Sequence, residues 1–195
     1  MEILGEIKPQ LALFTETMLK SQCGLQLDGF TFIGRSREKK SSGGVGILVN
    51  DEIKNVITPH ETTKDIELIW VSVRRRQQKP IYIGVYYGKQ ESRNNRNEML
   101  AEMDKLSDEI QEKKNQGEIV LFMDGNAKIG LLNEPVSRNG KLLREVFDEC
   151  GLEVMNESEK SEMYWKGDKS KPEKYRGKIC NRLLSGHGTN GEGNT

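Results

Sequence analysis

Residues 119–127 read Ile-Val-Leu-Phe-Met-Asp-Gly-Asn-Ala, an apolar run that stops abruptly at a carboxylate, a glycine and a carboxamide. The run is short and rich in residues that favour strands, which predicts a buried strand. Polar side chains at the end of such a strand lie at a sheet edge, where functional sites are commonly built. Asp124 and Asn126 are therefore the first candidate site residues.

Further strands and helices are predicted on both sides of this run. The strands are Leu11–Thr15, Val45–Asn50, Leu68–Val73, Pro80–Tyr87, Glu118–Met123 and Leu152–Met155, and the helices are Met1–Pro9, Asn94–Asn115 and Gly140–Cys150. Leu68–Val73 and Pro80–Tyr87 are joined by a polar connector, which indicates an antiparallel hairpin. Strands outnumber helices and mix a hairpin with a crossover, so we expect layers of sheet covered by helices.

The composition of the chain sets bounds on the class of protein. A length of 195 residues favours one domain. Thirty Lys and Arg balance thirty Asp and Glu, so the net charge does not indicate a nucleic-acid partner, although a local basic face remains open. The mean hydropathy is -0.69, and no apolar run is long enough to span a membrane. The N-terminus lacks a secretory signal pattern, and three scattered cysteines match neither a zinc site nor a disulfide framework; we expect an intracellular protein, in the nucleus or cytoplasm.

Three blocks of the sequence resemble the endonuclease/exonuclease/phosphatase superfamily. Asp124-Gly125-Asn126 resembles the Gly-Asp-Phe/Leu-Asn signature of that family, with Met123 in place of its first Gly and Gly125 in place of Phe/Leu. The block Phe14–Leu19 resembles the family's Gln-Glu-Thr block. The block Ile83–Gly88 resembles its strand ending Val-Tyr-x-Pro.

The order of the blocks is similar to that of the endonuclease domain of non-LTR (LINE-type) retrotransposons and their host-derived relatives. Lys128-Ile129-Gly130 and Arg138-Asn139-Gly140 follow the Asp124 block and precede an amphipathic helix, as in those domains. The resemblance covers residues from about 10 to 165. It implies an α/β (α+β) fold, a two-sheet β-sandwich flanked by helices in four layers (α/β/β/α), here incomplete.

The resemblance also implies a role for each candidate residue. Members of the family hydrolyse phosphodiester or phosphomonoester bonds with a divalent metal. Glu16 would hold Mg²⁺ or Mn²⁺, because hard cations prefer carboxylate oxygens. Asp124 would accept a proton from the attacking water, and Asn126 would bind and orient the phosphate. Tyr86 would support the phosphate, with Tyr87 as the alternative.

Each of these residues also has a plain structural interpretation. Asp-Gly-Asn is favoured in turns, and Glu16 alone would be an exposed charge at a strand end. An aromatic residue in a strand follows from β-propensity. The succession of all the blocks in one order favours the functional interpretation.

Parts of the family's site have no counterpart in this sequence. No strand with the family's Asn precedes Leu11, and nothing after Trp165 reads Ile-Asp-Tyr. Ser185-Gly186-His187 has Gly where the family has Asp, so His187 is expected to be a tail residue. We therefore interpret residues 1–165 as a partial endonuclease/exonuclease/phosphatase-like domain truncated at both ends. Residues 166–195, basic and then rich in Gly and Asn, are predicted to be a disordered tail.

The leading prediction is metal-dependent phosphodiester hydrolysis by a DNA endonuclease of the retrotransposon type, which the missing groups would impair. The alternative is a catalytically inactive remnant that at most binds nucleic acid or a protein. A phosphatase acting on small phosphate esters is a third hypothesis. DNA would be contacted through its phosphates, and Arg74–Arg76 and Lys166–Arg182 are basic stretches that suit such contacts. A solvated loop is the preferred interpretation of Arg74–Arg76, and a disordered tail fits Lys166–Arg182 equally well.

Overall fold

The computed structural model describes residues 2–19, 25–35, 43–130 and 135–155. Within these ranges the chain forms helices and strands in a mixed order. They are α1 (Glu2–Ile7), β1 (Leu11–Thr15), β2 (Phe30–Arg35), β3 (Val45–Asn50), a 3₁₀ turn (Lys54–Val56), β4 (Ile57–His60), β5 (Glu67–Val73), β6 (Ile81–Tyr87), α2 (Arg96–Gln116), β7 (Glu118–Asp124) and α3 (Arg138–Cys150).

The strands form two sheets. One is three-stranded and antiparallel in the order β1-β3-β2, and the other is four-stranded in the order β4-β5-β6-β7. Strands β5 and β6 form the predicted antiparallel hairpin, whereas β7 lies parallel to β6. Two parallel neighbours need a long crossover, because no tight turn can connect them. Helix α2 provides that crossover.

The four-stranded sheet packs on both faces. On the face toward the helices the core includes Trp70, Tyr86, Leu106 and Phe147. On the other face it packs against the three-stranded sheet through a core that includes Val45, Ile47, Ile69, Val71 and Val85. Successive side chains of a strand point to opposite faces. Even-numbered residues of β6 therefore reach the helices, and odd-numbered residues reach the other sheet.

Helix α3 begins and ends at residues suited to those positions. The side chain of Ser137 caps the helix by accepting a hydrogen bond from the backbone N–H of Gly140 at 3.0 Å. Gly151 follows the helix with a φ of 58°, a left-handed conformation that glycine adopts without steric cost. Ser137 and Gly151 therefore set the two ends of α3, the helix that packs beside α2 on the four-stranded sheet.

The predicted fold class is confirmed. Two sheets pack face to face, and α2 and α3 cover the outer face of the four-stranded sheet. The described residues thus supply an α/β/β arrangement, an incomplete version of the expected four layers.

Three details of the predicted strand pattern were wrong. Residues 152–154 are irregular and not a strand, and the backbone N–H of Leu152 donates to Phe147 O at 2.8 Å, which closes the end of α3. Strands β2 and β4 were not predicted. Strand β4 contains Pro59, which lacks the N–H that a sheet requires. Proline is tolerated there because β4 is the edge strand of the described sheet.

The predicted partial domain over residues 1–165 is described only as far as residue 155. The tail predicted over 166–195, with Lys166–Arg182 and His187, lies outside the described residues. Among the helices that are described, none combines the length and the apolar character needed to cross a membrane.

The substitution Leu106→Ala is expected to lower the free energy of unfolding by about 2–5 kcal/mol. Leu106 is fully buried in the core between α2 and the sheet. The matched control is Leu100→Ala on the same helix, where the side chain is 39% exposed. It is expected to change stability by about 0.5 kcal/mol or less. Urea unfolding followed by circular dichroism measures both, and equal losses would contradict the assignment of the buried face of α2.

Candidate active site

The ends of several strands meet at one end of the sandwich. Tyr87, the last residue of β6, lies beside Asp124, the last residue of β7, in parallel register. On its other side Tyr87 is paired with Glu67, the first residue of β5. Strand β1 of the other sheet ends one residue before Glu16. The candidate site therefore contains residues from both sheets.

A hydrogen bond between Tyr87 and Glu16 joins the two sheets at this end. The hydroxyl of Tyr87 donates to Glu16 Oε1. Tyr87 is 5% exposed, whereas the Glu16 side chain is open to solvent. Glu16 has a φ of 54°, a left-handed conformation that is uncommon for a residue with a Cβ. Such conformations concentrate at functional sites, where the surrounding structure holds them in place.

Asp124 and Asn126 are tied together by the turn that follows β7. The backbone N–H of Asn126 donates to Asp124 Oδ1 at 3.1 Å. The Asn126 Nδ2 donates to Gly88 O at 2.7 Å, and Gly88 N donates to the backbone O of Asp124 at 2.8 Å. Asn126 has a φ of 45°, which Asn tolerates better than most residues. Asp-Gly-Asn therefore forms a turn, as its plain structural interpretation predicts, and this turn lies at the corner of the candidate site.

The pKa of Tyr87 depends on its burial and on the neighbouring side chains of Glu16, Asn126 and Asp124. Burial raises the pKa of the Tyr87 phenol above its ordinary value, and the hydrogen bond to Glu16 raises the pKa further. A hydrogen bond from Asn126 opposes this rise, while the charges of Glu16 and Asp124 add to it. The Tyr87 hydroxyl therefore keeps its proton at neutral pH and remains a hydrogen-bond donor.

Tyr86, the tyrosine predicted for the site, does not reach this cluster. It is fully buried on the helix side of the sheet, and its hydroxyl donates to Glu102 Oε1 at 2.9 Å. Burial and the Glu102 carboxylate raise the pKa of Tyr86. Lys89 Nζ lies 3.2 Å from Glu102 Oε2 and completes a buried polar group. Tyr87, which the resemblance gives as the alternative to Tyr86, therefore lies at the candidate site, and Tyr86 does not.

The alternation of side chains along a strand explains this correction. Tyr86 and Tyr87 are neighbours in β6, so their side chains point to opposite faces of the sheet. Val85, two residues before Tyr87, packs between the sheets, and Asp124 is paired with Tyr87. The sequence would predict which of the two tyrosines faces the other sheet only if the register between β6 and β7 were known.

The donor atoms at this corner suit a hard divalent cation. Glu16 supplies an exposed carboxylate, and Asp124 supplies a half-buried one. The described part of the chain has no group of three or more His, Cys, Asp or Glu side chains placed to hold a metal ion. Mg²⁺ nevertheless keeps several waters and needs only one or two protein carboxylates, and an all-oxygen site suits Mn²⁺ as well. The donor chemistry therefore fits the metal that the sequence implies.

The arginine run Arg74–Arg76 lies away from this corner. It follows β5 at the end of the strand opposite Glu67. Arg75 donates to Lys79 O at 2.8 Å and lies 2.7 Å from Glu118 Oε1. These contacts fit a loop on the surface and give no support to a phosphate contact at the candidate site.

Tyr86→Phe is expected to destabilise the fold more than Tyr87→Phe. Removing the Tyr86 hydroxyl takes a donor from Glu102, whose side chain is 2% exposed, and should cost about 1–3 kcal/mol. Removing the Tyr87 hydroxyl should cost about 1 kcal/mol or less, because water can replace it at the exposed Glu16. Urea unfolding of the two variants tests this order, and a larger loss for Tyr87→Phe would contradict it.

No protein-family model matches the chain, and no curated protein matches it. Among solved structures, it is similar to the human Nocturnin catalytic domain with bound sulfate at a TM-score of 0.48 and 12% identity. It is also similar to truncated Caenorhabditis elegans TDP2, at a TM-score of 0.42 and 10% identity. ANGEL2, a 2′,3′-cyclic phosphatase, gives a TM-score of 0.46 and 14% identity.

These similarities cover 72%, 65% and 74% of this chain, respectively. The chain in turn spans 57%, 53% and 45% of the three structures, which is about half of their length.

Proposed function

We propose that this chain belongs to a divalent-metal-dependent phosphodiesterase whose substrate is DNA, an endonuclease of the retrotransposon type. The observation that carries the proposal is the convergence of Glu16, Tyr87, Asp124 and Asn126 at one end of the sandwich. A carboxylate for a metal, a carboxylate for a proton and two neutral hydrogen-bonding groups are the parts that hydrolysis of a phosphodiester needs.

Glu16 is the residue that would hold Mg²⁺ or Mn²⁺. Its carboxylate is exposed, and one of its oxygens already accepts the hydrogen bond from Tyr87. That bond orients the carboxylate and leaves the other oxygen for a cation. A divalent cation at this position would supply positive charge to the phosphate oxygens as negative charge develops on them.

Asp124 would accept the proton of the attacking water. Its Oδ1 is held by the backbone N–H of Asn126 at 3.1 Å, which fixes the orientation of the carboxylate. The side chain is half-buried, so water can still reach it. A fixed carboxylate within hydrogen-bond reach of water is the requirement for a general base.

Asn126 would bind and orient the phosphate as a neutral donor, and Tyr87 would support the site by donating its single O–H to Glu16. The Nδ2 of Asn126 carries two hydrogens, and one of them is directed to Gly88 O. Tyr87 keeps its proton because burial and the Glu16 bond raise its pKa. Donors that are already in place need no rearrangement during the reaction, which is how such groups lower a barrier.

The choice of DNA as the substrate is supported by the order of the sequence blocks. The succession from Phe14–Leu19 through Ile83–Gly88 to Asp124-Gly125-Asn126 is similar to that of retrotransposon endonucleases. A panel of small phosphate esters assayed beside DNA would separate this proposal from the phosphatase hypothesis.

The proposal predicts Mg²⁺-dependent nicking of supercoiled plasmid by the full chain. Asp124→Asn, which removes the base and keeps the shape of the side chain, is expected to lower the rate by about 10²-fold or more. Glu16→Gln is expected to raise the Mg²⁺ concentration needed for half-maximal nicking. Agarose gel assays over a range of Mg²⁺ concentrations measure both effects.

The matched control for these variants is Asp104→Asn, because Asp104 is an exposed carboxylate on α2. It should nick at the rate of the unmodified chain. Nicking that persists in EDTA, or that is equal in the Asp124→Asn and Asp104→Asn variants, would reject the roles proposed for the site.

The second candidate function is binding without catalysis. It is favoured by departures of the sequence from the family's motifs, with Met123 in place of the first Gly and Gly186 in place of the Asp before His187. A chain of this kind would show no Mg²⁺-dependent cleavage, and its affinity for DNA would fall steeply as salt is added. Nicking that requires Glu16 would reject it.

A further inference from the structure

A second side chain spans the two sheets beside Tyr87. Glu67 opens β5 and lies directly opposite Tyr87 in antiparallel register. Its side chain is on the same face as those of Ile69 and Val71, which pack between the sheets. Glu67 Oε2 accepts a hydrogen bond from the backbone N–H of Gly44 at 2.6 Å. A carboxylate of the four-stranded sheet thus holds the backbone at the start of β3 in the other sheet.

The backbone held by Glu67 in turn holds the segment that carries Glu16. Thr17 N donates to Gly44 O at 3.2 Å, and Met18 N donates to Gly43 O at 2.9 Å. These bonds begin at the residue after Glu16. The Glu67 carboxylate is therefore connected to the Glu16 backbone by a short series of hydrogen bonds through Gly43-Gly44.

The backbone in this contact is in conformations that need external support. Glu16 and Met18 have φ values of 54° and 51°, and Gly43 and Gly44 have φ values of 98° and 95°. The left-handed region is costly for residues with a Cβ, although not for glycine. Strained residues persist only where the surrounding structure constrains them. The bond from Gly44 N–H to a carboxylate oxygen of Glu67 provides such a constraint on this backbone.

We propose that Glu67 is a positioning residue for Glu16. Its hydrogen bond to Gly44 N–H sets the backbone from which the Glu16 carboxylate faces Tyr87 and the proposed cation. The link to the cation rests on the proposed function, whereas the positioning is a property of the metal-free chain. Partners that orient a metal ligand typically contribute about 10- to 100-fold to metal affinity.

The first test compares Glu67→Ala with Glu67→Gln in the full chain without metal. Gln keeps an oxygen that accepts from Gly44 N–H, whereas Ala has none. Hydrogen exchange at the amides of Thr17, Met18 and Gly44, measured by NMR, should rise by about tenfold or more in Glu67→Ala. In Glu67→Gln it should stay within about threefold of the unmodified chain, because the acceptor is retained.

Glu109→Ala is the matched control. Glu109 is 6% exposed, and its Oε1 accepts from the backbone N–H of Thr63 at 2.6 Å, a bond of the same kind and length. Glu109 lies on α2, on the other side of the four-stranded sheet. Its loss should lower the overall stability and leave the exchange at Thr17 and Met18 unchanged relative to the rest of the chain.

The second test is calorimetric titration with Mn²⁺. Glu67→Ala should weaken Mn²⁺ binding by about tenfold or more, Glu67→Gln by much less, and Glu109→Ala not at all. Unchanged exchange in Glu67→Ala would overturn the proposal, whether or not Mn²⁺ binds. If Glu67→Gln behaves like Glu67→Ala, the charge and not the hydrogen bond is responsible, which also overturns it. If exchange rises as expected but the unmodified chain neither binds Mn²⁺ nor nicks DNA, the positioning role stands and the proposed function fails.

Discussion

The parallel register between β6 and β7 is the constraint on which the rest of the structure depends. It sets Tyr87 beside Asp124 and brings Gly88 N within 2.8 Å of the Asp124 carbonyl oxygen. Asn126 then reaches Gly88 O, so the turn after β7 is held by the strand beside it. A parallel pair requires a crossover, and α2 can provide one only because its apolar face is buried on the same sheet. The polar corner thus depends on apolar packing at the opposite face.

The two sheets are held at this end by polar contacts in addition to the apolar core. Packing between Val85 and the residues of β3 brings the sheets together but is not directional. The hydroxyl of Tyr87 and the carboxylate of Glu67 reach across the interface to Glu16 and Gly44, respectively. Hydrogen bonds depend on distance and angle, so they fix the relative position of groups that hydrophobic packing alone leaves free.

The charge at this end of the sandwich would link the proposed metal binding to the proposed substrate binding. Glu16, Glu67 and Asp124 all lie there, and negative charge on these side chains would oppose the approach of a phosphate. A bound divalent cation would offset most of this negative charge, because an ion is commonly the largest charge in such a site. Tyr86 supports the same end from the helix side. Its partner Glu102 binds Lys89, the residue next to Gly88.

The sequence by itself determined most of the elements of the fold and identified most of the candidate site residues. The bounds of β1 and β3 follow from compact apolar runs, and those of β5, β6, α2, β7 and α3 differ from the prediction by two residues or fewer. The Asp-Gly-Asn block was identified because a carboxylate and a carboxamide ended an apolar strand. These features are local, so a short window of residues is enough to recognise them.

Tertiary structure alone decided which tyrosine lies at the candidate site and which side chain contacts the backbone beside Glu16. Tyr86 and Tyr87 have the same chemistry and adjacent positions, and only the pairing with Asp124 shows which of them faces the other sheet. The sequence does not identify Glu67 as a candidate site residue. It is a polar residue before an apolar run, and its contact with Gly44 spans 23 positions in the chain. Side chains alternate along a strand with a period of two residues, so a shift of one residue in the pairing exchanges the two faces of the strand. A local sequence pattern does not determine the register between strands that are far apart in the sequence.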